Sequence, residues 1–277
     1  MGNTLNRFIF NNPVEGFYEK FRLDFIFVET ESGDRIAAHF INRCVEHTKA
    51  PLTILFCHGN GENIYMLYDY FCEASKIWNV NVLLYDYPGY GESTGMPNEK
   101  SMYQSGRAVY DYMVNVLNIK AESIVLYGKS IGSCAAIDIA ITRKVKGIIL
   151  QSALMSLLNI CFKTRFILPF DSFCNIKKIG MVPCFAFFIH GTDDKIVPFY
   201  HGLSLYEKCK LKVHPFWVAG GKHNDIELIE NKKFNQGIKS FLEFLRCPCS
   251  FRILYINNKP LYVEGHKKLL LTFIGRE

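Results

Sequence analysis

An α/β architecture, with a mostly parallel sheet covered by helices on both faces, follows from three observations. Apolar runs of strand length alternate along the chain with stretches of helical spacing. Those runs from Leu52 onward are apolar throughout, as strands buried on both faces must be. Glycine-rich loops stand at several of their carboxyl ends.

In chain order, Phe21 to Glu29 alternates apolar and polar residues, Ser32-Gly33-Asp34 offers a turn, and Arg35 to Asn42 resumes as strand, which predicts an opening antiparallel pair. Leu52 to Cys57 is a continuous apolar strand followed by His58-Gly59-Asn60-Gly61, and Met66 to Ile77 suits a helix. Val80 to Tyr85 is the next buried strand. Lys100 to Leu117 carries Met102, Ala108, Val109, Tyr112, Met113 and Val116 at helical spacing. Ile124 to Tyr127 is a β-branched strand that passes through Gly128-Lys129-Ser130-Ile131-Gly132 into the helix-forming run Cys134 to Ala140. Further strands are predicted at Lys146 to Gln151, Cys184 to Ile189 and Val213 to Val218, with helices at Phe199 to Cys209 and Asn235 to Leu245. One main domain is expected over 21–246, with an arm at 1–20, an apolar and basic insertion at 153–182 placed as a short lid, and an extension at 247–277. In the extension, Arg252 to Ile256 and Leu261 to Glu264 flank Asn257-Asn258-Lys259-Pro260 as a candidate hairpin.

At 277 residues, with 49% apolar and 21% charged residues, the chain can bury a large core. No apolar run reaches transmembrane length and Met1 to Phe10 lacks a secretory h-region, so a cytosolic protein is expected. The ten cysteines are scattered among apolar neighbours and read as reduced core residues; only Cys247-Pro248-Cys249 is clustered, without the further ligands a metal would need. The net charge of +6 is spread out, with no dense basic run, which argues against nucleic acid as a partner.

Working residues of such sheets lie on loops at the carboxyl ends of strands. Those ends present His58 to Gly61, then Ser130, then His190-Gly191-Thr192-Asp193-Asp194, then Gly220-Gly221-Lys222-His223. The order serine, acid, histidine is that of α/β-hydrolases. A serine in a strand-to-helix elbow occupies a strained turn that glycines must flank, and its hydroxyl needs an imidazole held in one tautomer by a carboxylate. Ser130 is the candidate nucleophile and His223 the candidate base; Asp193 and Asp194 are adjacent, and spacing does not choose between them. A second G-x-S-x-G, Gly91 to Gly95, lies several residues past its strand and before Pro97, so Ser93 reads as loop. An oxyanion hole is expected from the N–H of Ile131 and an N–H of the 58–61 loop, with Asn60 the candidate donor. This chemistry calls for no cofactor and no metal.

His58-Gly59-Asn60, Tyr85-Asp86-Tyr87-Pro88-Gly89-Tyr90-Gly91, Tyr127 to Gly132, Ile189 to Asp194 and Gly221 to Leu228 together resemble the α/β-hydrolase domain-containing protein seventeen family, over about Phe25 to Leu245. The resemblance implies the α/β-hydrolase fold and serine hydrolases that remove palmitate from cysteines of membrane-bound proteins. It places the acid at Asp194, with Asp193 where the family often has glutamate, and it implies an acylated protein substrate. That family's N-terminal cysteine cluster is missing, since no cysteine precedes Cys44. Peripheral contact with the cytosolic face of a membrane would instead use Gly2 as a myristoylation candidate, with Arg7 and Phe8-Ile9-Phe10 or an acylated Cys247 or Cys249 as a second anchor. The insertion's Leu154, Met155, Leu157, Leu158, Ile160, Phe162, Phe166, Ile167 and Leu168 suit either an acyl-chain groove or a lid packed on its own core. The expected protein is a monomeric serine hydrolase of acyl thioesters or esters; a lipid or small-ester hydrolase with the same residues, an inactive scaffold and a peptidase are the alternatives.

Overall fold

The computed structural model describes residues 10, 23–43, 52–162 and 171–246, together with the backbone of 254–256 and 259–261. Gly2, Cys247, Cys249 and residues 163–170 of the insertion lie outside the described residues.

Eight strands form one sheet: β1 (Ile26–Glu29), β2 (Arg35–Ile41), β3 (Thr53–Cys57), β4 (Asn81–Tyr85), β5 (Ile124–Lys129), β6 (Gly147–Gln151), β7 (Phe185–Gly191) and β8 (Phe216–Val218). Their order is β1-β2-β4-β3-β5-β6-β7-β8. β1 pairs antiparallel with β2, and β2 antiparallel with β4; every later pairing is parallel. The opening hairpin is shorter than its sequence pattern, since Leu23 to Phe25 do not pair. β8 is likewise confined to three residues: Leu211 to Val213 meet β7 only through Ala186, which bonds Leu211 O and Val213 N–H.

The strand register explains why the apolar runs are continuous. On β3, β5 and β6, Leu55, Cys57, Leu126, Ile148 and Leu150 face one side, against α2 (Glu99–Asn115) and α3 (Gly132–Thr142). The alternate residues Ile54, Phe56, Val125, Tyr127 and Ile149 face the other, against α1 (Ile64–Trp78) and α8 (Asn231–Arg246). Each such side chain, fully buried, contributes about 1.5–3 kcal/mol relative to exposure. α1 starts at Asn63, whose Oδ1 accepts the Met66 N–H, and stops at left-handed Asn79. α2 starts with a reciprocal Asn98–Ser101 capping box. α3 is buried almost all round because it lies between the sheet, α2 and the insertion, so its sequence shows little amphipathic contrast.

The insertion contributes α4 (Leu157–Phe162) and α5 (Asn175–Lys178). Leu154, Met155, Leu157, Phe173, Ile176, Ile179 and Val182 are buried in the same core as α3, so among the described residues these side chains fill the core and do not line a groove. Asn175 ties this segment to α3, its Nδ2 donating to Ser133 Oγ at 3.1 Å and to Leu154 O at 2.9 Å. α6 (Tyr200–Lys208) and the single turn α7 (Ile226–Ile229) complete the layers. In the extension, β9 (Leu254–Ile256) and β10 (Lys259–Leu261) pair antiparallel, with Ile256 opposite Lys259. Among the described residues no helix is long and apolar enough to cross a membrane.

Candidate active site

The sheet's strand order reverses at β3, which is flanked by β4 on one side and β5 on the other. Loops leaving adjacent strands there diverge to opposite faces and open a crevice at the carboxyl ends. The two loops that do so are 58–61, after β3, and Gly128 to Gly132, at the end of β5.

Ser130 sits at φ +53°, in the left-handed region that non-glycine residues rarely occupy. The close packing around it explains the flanking glycines. A Cβ at Gly128 would lie 2.6 Å from Ser133 Cα, and one at Gly132 would lie 2.0 Å from the Cys57 carbonyl oxygen. Helix α3 thus starts hard against the end of β3, and the Ser130 N–H is held by Gln151 O at 2.9 Å.

The histidine and the acid reach this point from β8 and β7. Their loops touch backbone to backbone: a Cβ at Gly191 would lie 2.2 Å from Gly221 O, and Asp193 N–H donates to Gly221 O at 2.9 Å. His223 Nε2 lies 3.0 Å from Ser130 Oγ, and His223 Nδ1 lies 2.7 Å from Asp194 Oδ2. Asp194 is 4% exposed, and its other oxygen accepts the N–H groups of Ile196 (2.9 Å) and Val197 (2.8 Å). Burial alone would raise its pKa, but the hydrogen bonds from His190, His223 and the Val197 N–H hold the carboxyl well below the usual carboxylate range. A carboxylate at that position leaves the His223 Nδ1 protonated and its Nε2 lone pair turned towards the Ser130 hydroxyl. Asp193 points the other way, to an exposed pair with Lys195 at 2.5 Å.

Of the residues singled out from sequence, Ser130, Asp194 and His223 therefore meet in one hydrogen-bonded chain. The 58–61 loop lies beside it, where a Cβ on Gly59 would be 3.7 Å from Ser130 Cβ. The Ile131 N–H opens α3, a position with no intrahelical acceptor, directly after Ser130. The Asn60 side chain turns outward and accepts the Tyr90 hydroxyl at 2.7 Å. His58 is wholly buried beneath the loop: its Nδ1–H donates to Gly59 O, its ring lies 4.0 Å from that of Tyr87, and burial pushes its pKa down to about 4. His201 is buried and accepts the Met155 N–H on Nδ1 at 3.1 Å.

Three residues at the site carried no sequence expectation. His190 donates Nε2–H to Val197 O at 2.8 Å and stands 3.4 Å from Asp194 Oδ2, closing the turn that carries the acid. Glu62 and Lys129 form an ion pair at 2.6 Å between the 58–61 loop and the residue preceding Ser130. The signal available was the occurrence of a charged residue in each of two glycine-rich loops at neighbouring strand ends, Gly61-Glu62 and Gly128-Lys129.

Comparison with known proteins gives the same architecture and narrows it. A sequence model of the hydrolase family described as serine aminopeptidase, S33, matches residues 48–168. Among solved structures, an esterase of Pyrococcus furiosus, Pf2001, is similar in fold, with a TM-score of 0.68 at 16% identity, covering 84% of this chain and 97% of that one. Mouse α/β-hydrolase domain-containing protein 10 gives a TM-score of 0.60 at 18% identity, covering 80% of this chain and 99% of that one. Sequence relatives are nearer. Mouse α/β-hydrolase domain-containing protein 17C is 36% identical over 221 residues, 79% of this chain and 68% of the relative. Human α/β-hydrolase domain-containing protein 17B is 36% identical over 211 residues, 76% of this chain and 72% of the relative. At that identity and coverage, this chain is a hydrolase-fold protein that belongs to the α/β-hydrolase domain-containing protein 17 family.

Proposed function

We propose that this protein is a serine hydrolase of acyl thioesters and esters that works through an acyl-Ser130 intermediate, with palmitoyl-cysteine in proteins as its substrate. The observation that supports the reaction class is the continuous chain from Ser130 Oγ through His223 to the carboxylate of Asp194, set in a strained elbow. The palmitoyl-cysteine substrate is taken from the family resemblance.

His223 Nε2 takes the hydroxyl proton as Ser130 Oγ forms a bond to the acyl carbon. The carbonyl oxygen becomes an oxyanion, held by the N–H of Ile131 and by an N–H of the 58–61 loop, with Asn60 the donor. As the tetrahedral species collapses, the C–S or C–O bond breaks and the proton on His223 passes to the departing sulfur or oxygen. Water, deprotonated by the same nitrogen, then attacks the acyl-serine, releasing the fatty acid and restoring Ser130. Asp194 keeps its negative charge throughout and stabilises the imidazolium. General acid–base transfer of this kind is worth about 10²–10⁴ in rate, and each oxyanion donor about 10²–10³.

The test combines fluorophosphonate labelling of the wild type and Ser130→Ala with palmitate release from a thioester-linked peptide. Labelling and release, both lost on substitution, are the expected outcome. Labelling without release would leave a serine hydrolase acting on lipid or small esters; a folded wild type that does not label would sink the assignment.

A further inference from the structure

Two pieces meet at Ser130, the elbow and the 58–61 loop, and an ion pair between Glu62 and Lys129 joins them. Lys129 Nζ lies 2.6 Å from Glu62 Oε1, and Glu62 Oε2 accepts the Gly59 N–H at 2.7 Å. Both side chains are largely buried, 14% and 18% exposed. The Glu62 backbone acts on the same loop, since its N–H reaches Gly59 O, the atom that also accepts His58 Nδ1–H at 2.8 Å. In a planar trans peptide the Gly59 carbonyl and the Asn60 N–H point in opposite directions, so fixing the first aims the second.

We infer that Glu62 is the positioning residue of the oxyanion loop, and that Lys129 serves both to anchor it to the elbow and to cancel its charge where the oxyanion forms. This rests on the acyl-serine reading above. A carboxylate tethered to Gly59, whose own Cβ position is 3.7 Å from Ser130 Cβ, stands close to the place where substrate oxygen becomes negative. Alone it would oppose that charge. Paired with Lys129 it holds the loop with no net charge, and the lysine is the residue next to the nucleophile. The pairing is strong enough that Glu62 stays ionised: burial raises its pKa, but Lys129, the Gly59 N–H and His58 together bring it below the ordinary value.

A purely structural ion pair would lose the same amount from either end, whereas this arrangement predicts an asymmetry. The measurement is kcat and KM on a short-chain p-nitrophenyl ester, per active site titrated with fluorophosphonate, so that misfolded molecules do not count. Glu62→Gln keeps an acceptor for Gly59 N–H and is expected within about threefold of wild type. Glu62→Ala loses the tether, and kcat should fall on the order of 10- to 100-fold, with KM within about threefold, which is part of the loss expected for an oxyanion donor. Lys129→Met leaves the carboxylate unbalanced and should lower kcat at least about tenfold, and adding Glu62→Gln to it should restore most of that loss. Equal kcat for Lys129→Met and wild type, or no recovery in the double variant, would overturn the inference. If Lys129→Met does not fold, the comparison of Glu62→Gln with Glu62→Ala decides: without a tenfold advantage for the glutamine, Glu62 does not position the loop. A wild type that neither labels nor turns over the ester fails the acyl-serine reading itself, and this inference with it; an active wild type with unaffected variants fails the inference alone.

Discussion

The chain contains Gly-x-Ser-x-Gly twice, and the two copies do opposite work. At Gly128 to Gly132 the serine is at φ +53° with its hydroxyl 3.0 Å from His223, while the glycines admit the backbone of α3 and β3. At Gly91 to Gly95 it is the glycines that take positive φ, at +49° and +91°, and the serine is pinned. Ser93 Oγ accepts the Ala37 N–H at 2.8 Å and donates to Asp86 O at 2.8 Å, closing the edge of β2 where β4 has ended. Thr94 continues that join, exchanging hydrogen bonds with Arg35. Five residues of pattern thus do not make an elbow. A strand that runs directly into a helix does, because only that junction compresses the turn and leaves the serine hydroxyl with no backbone partner to satisfy.

The comparison is broken most directly by removing each hydroxyl. Ser130→Ala should cut turnover by about 10⁴-fold or more with little change in urea midpoint. Ser93→Ala should do the reverse: turnover per folded molecule unchanged, and stability lower by about 1–3 kcal/mol, because the buried Ala37 N–H loses its acceptor. Similar rate losses in both would mean that the two serines are not separated as the structure separates them.

Asp194→Asn sharpens the catalytic half. With an amide at 194 the imidazole loses its fixed tautomer, and kcat should fall by about 10⁴-fold. The same variant reads the acid limb of stability. Since the folded pKa of Asp194 lies below its unfolded value of about 3.9, its contribution is present above that pH and disappears as pH falls through the folded value. Wild type should therefore be more stable than Asp194→Asn near neutrality, with the gap closing in acid unfolding experiments below about pH 4.

Glycine substitutions separate the copies by what each glycine faces. Gly132→Ala puts a Cβ 2.0 Å from the Cys57 carbonyl, between two backbones that cannot yield, and should cost at least about 3 kcal/mol. Gly95→Ala meets Asp34 Oδ1 at 2.4 Å, the end of a side chain that can swing away, and should cost only the left-handed backbone penalty of about 1–2 kcal/mol. Urea titration of the pair distinguishes them.

A pH-dependent effect concerns Asp86, which anchors the second copy through its carbonyl and faces Gly91 with its carboxyl. Burial pushes its pKa up to about 8, so at neutral pH it is protonated, with Oδ1 accepting the Ile64 N–H. A raised folded pKa stabilises fully below the unfolded value of about 3.9 and is lost as pH rises through about 8. Asp86→Asn should match wild type near pH 4 and exceed it in thermal stability at pH 9, with the gap opening between.

Most of the sheet and the three residues Ser130, His223 and the 193/194 acid were legible in the sequence, because continuous apolar runs mark parallel strands and their carboxyl ends can be read off one by one. Which aspartate faces inward was not legible by spacing. Asp194 is turned in by two N–H groups of its own loop and by His190, while Asp193 is left beside Lys195. The insertion stayed open for a similar reason: its apolar residues carry no mark of whether they line a groove or cap a core, and the structure buries Leu154, Met155, Leu157, Phe173, Ile176, Ile179 and Val182 in the core that α3 shares.

Local pattern is enough for the order of strands and helices, the elbow and the charge inventory, since each depends on residues that are neighbours in the chain. Long-range packing is what lets the loops of Gly191 and Gly221 touch, carries His223 to Ser130, and brings Glu62 to Lys129 from 67 residues away. These are contacts between strand ends brought together by sheet pairing. Their distances are fixed by the register of strands distant in sequence, which no local pattern encodes.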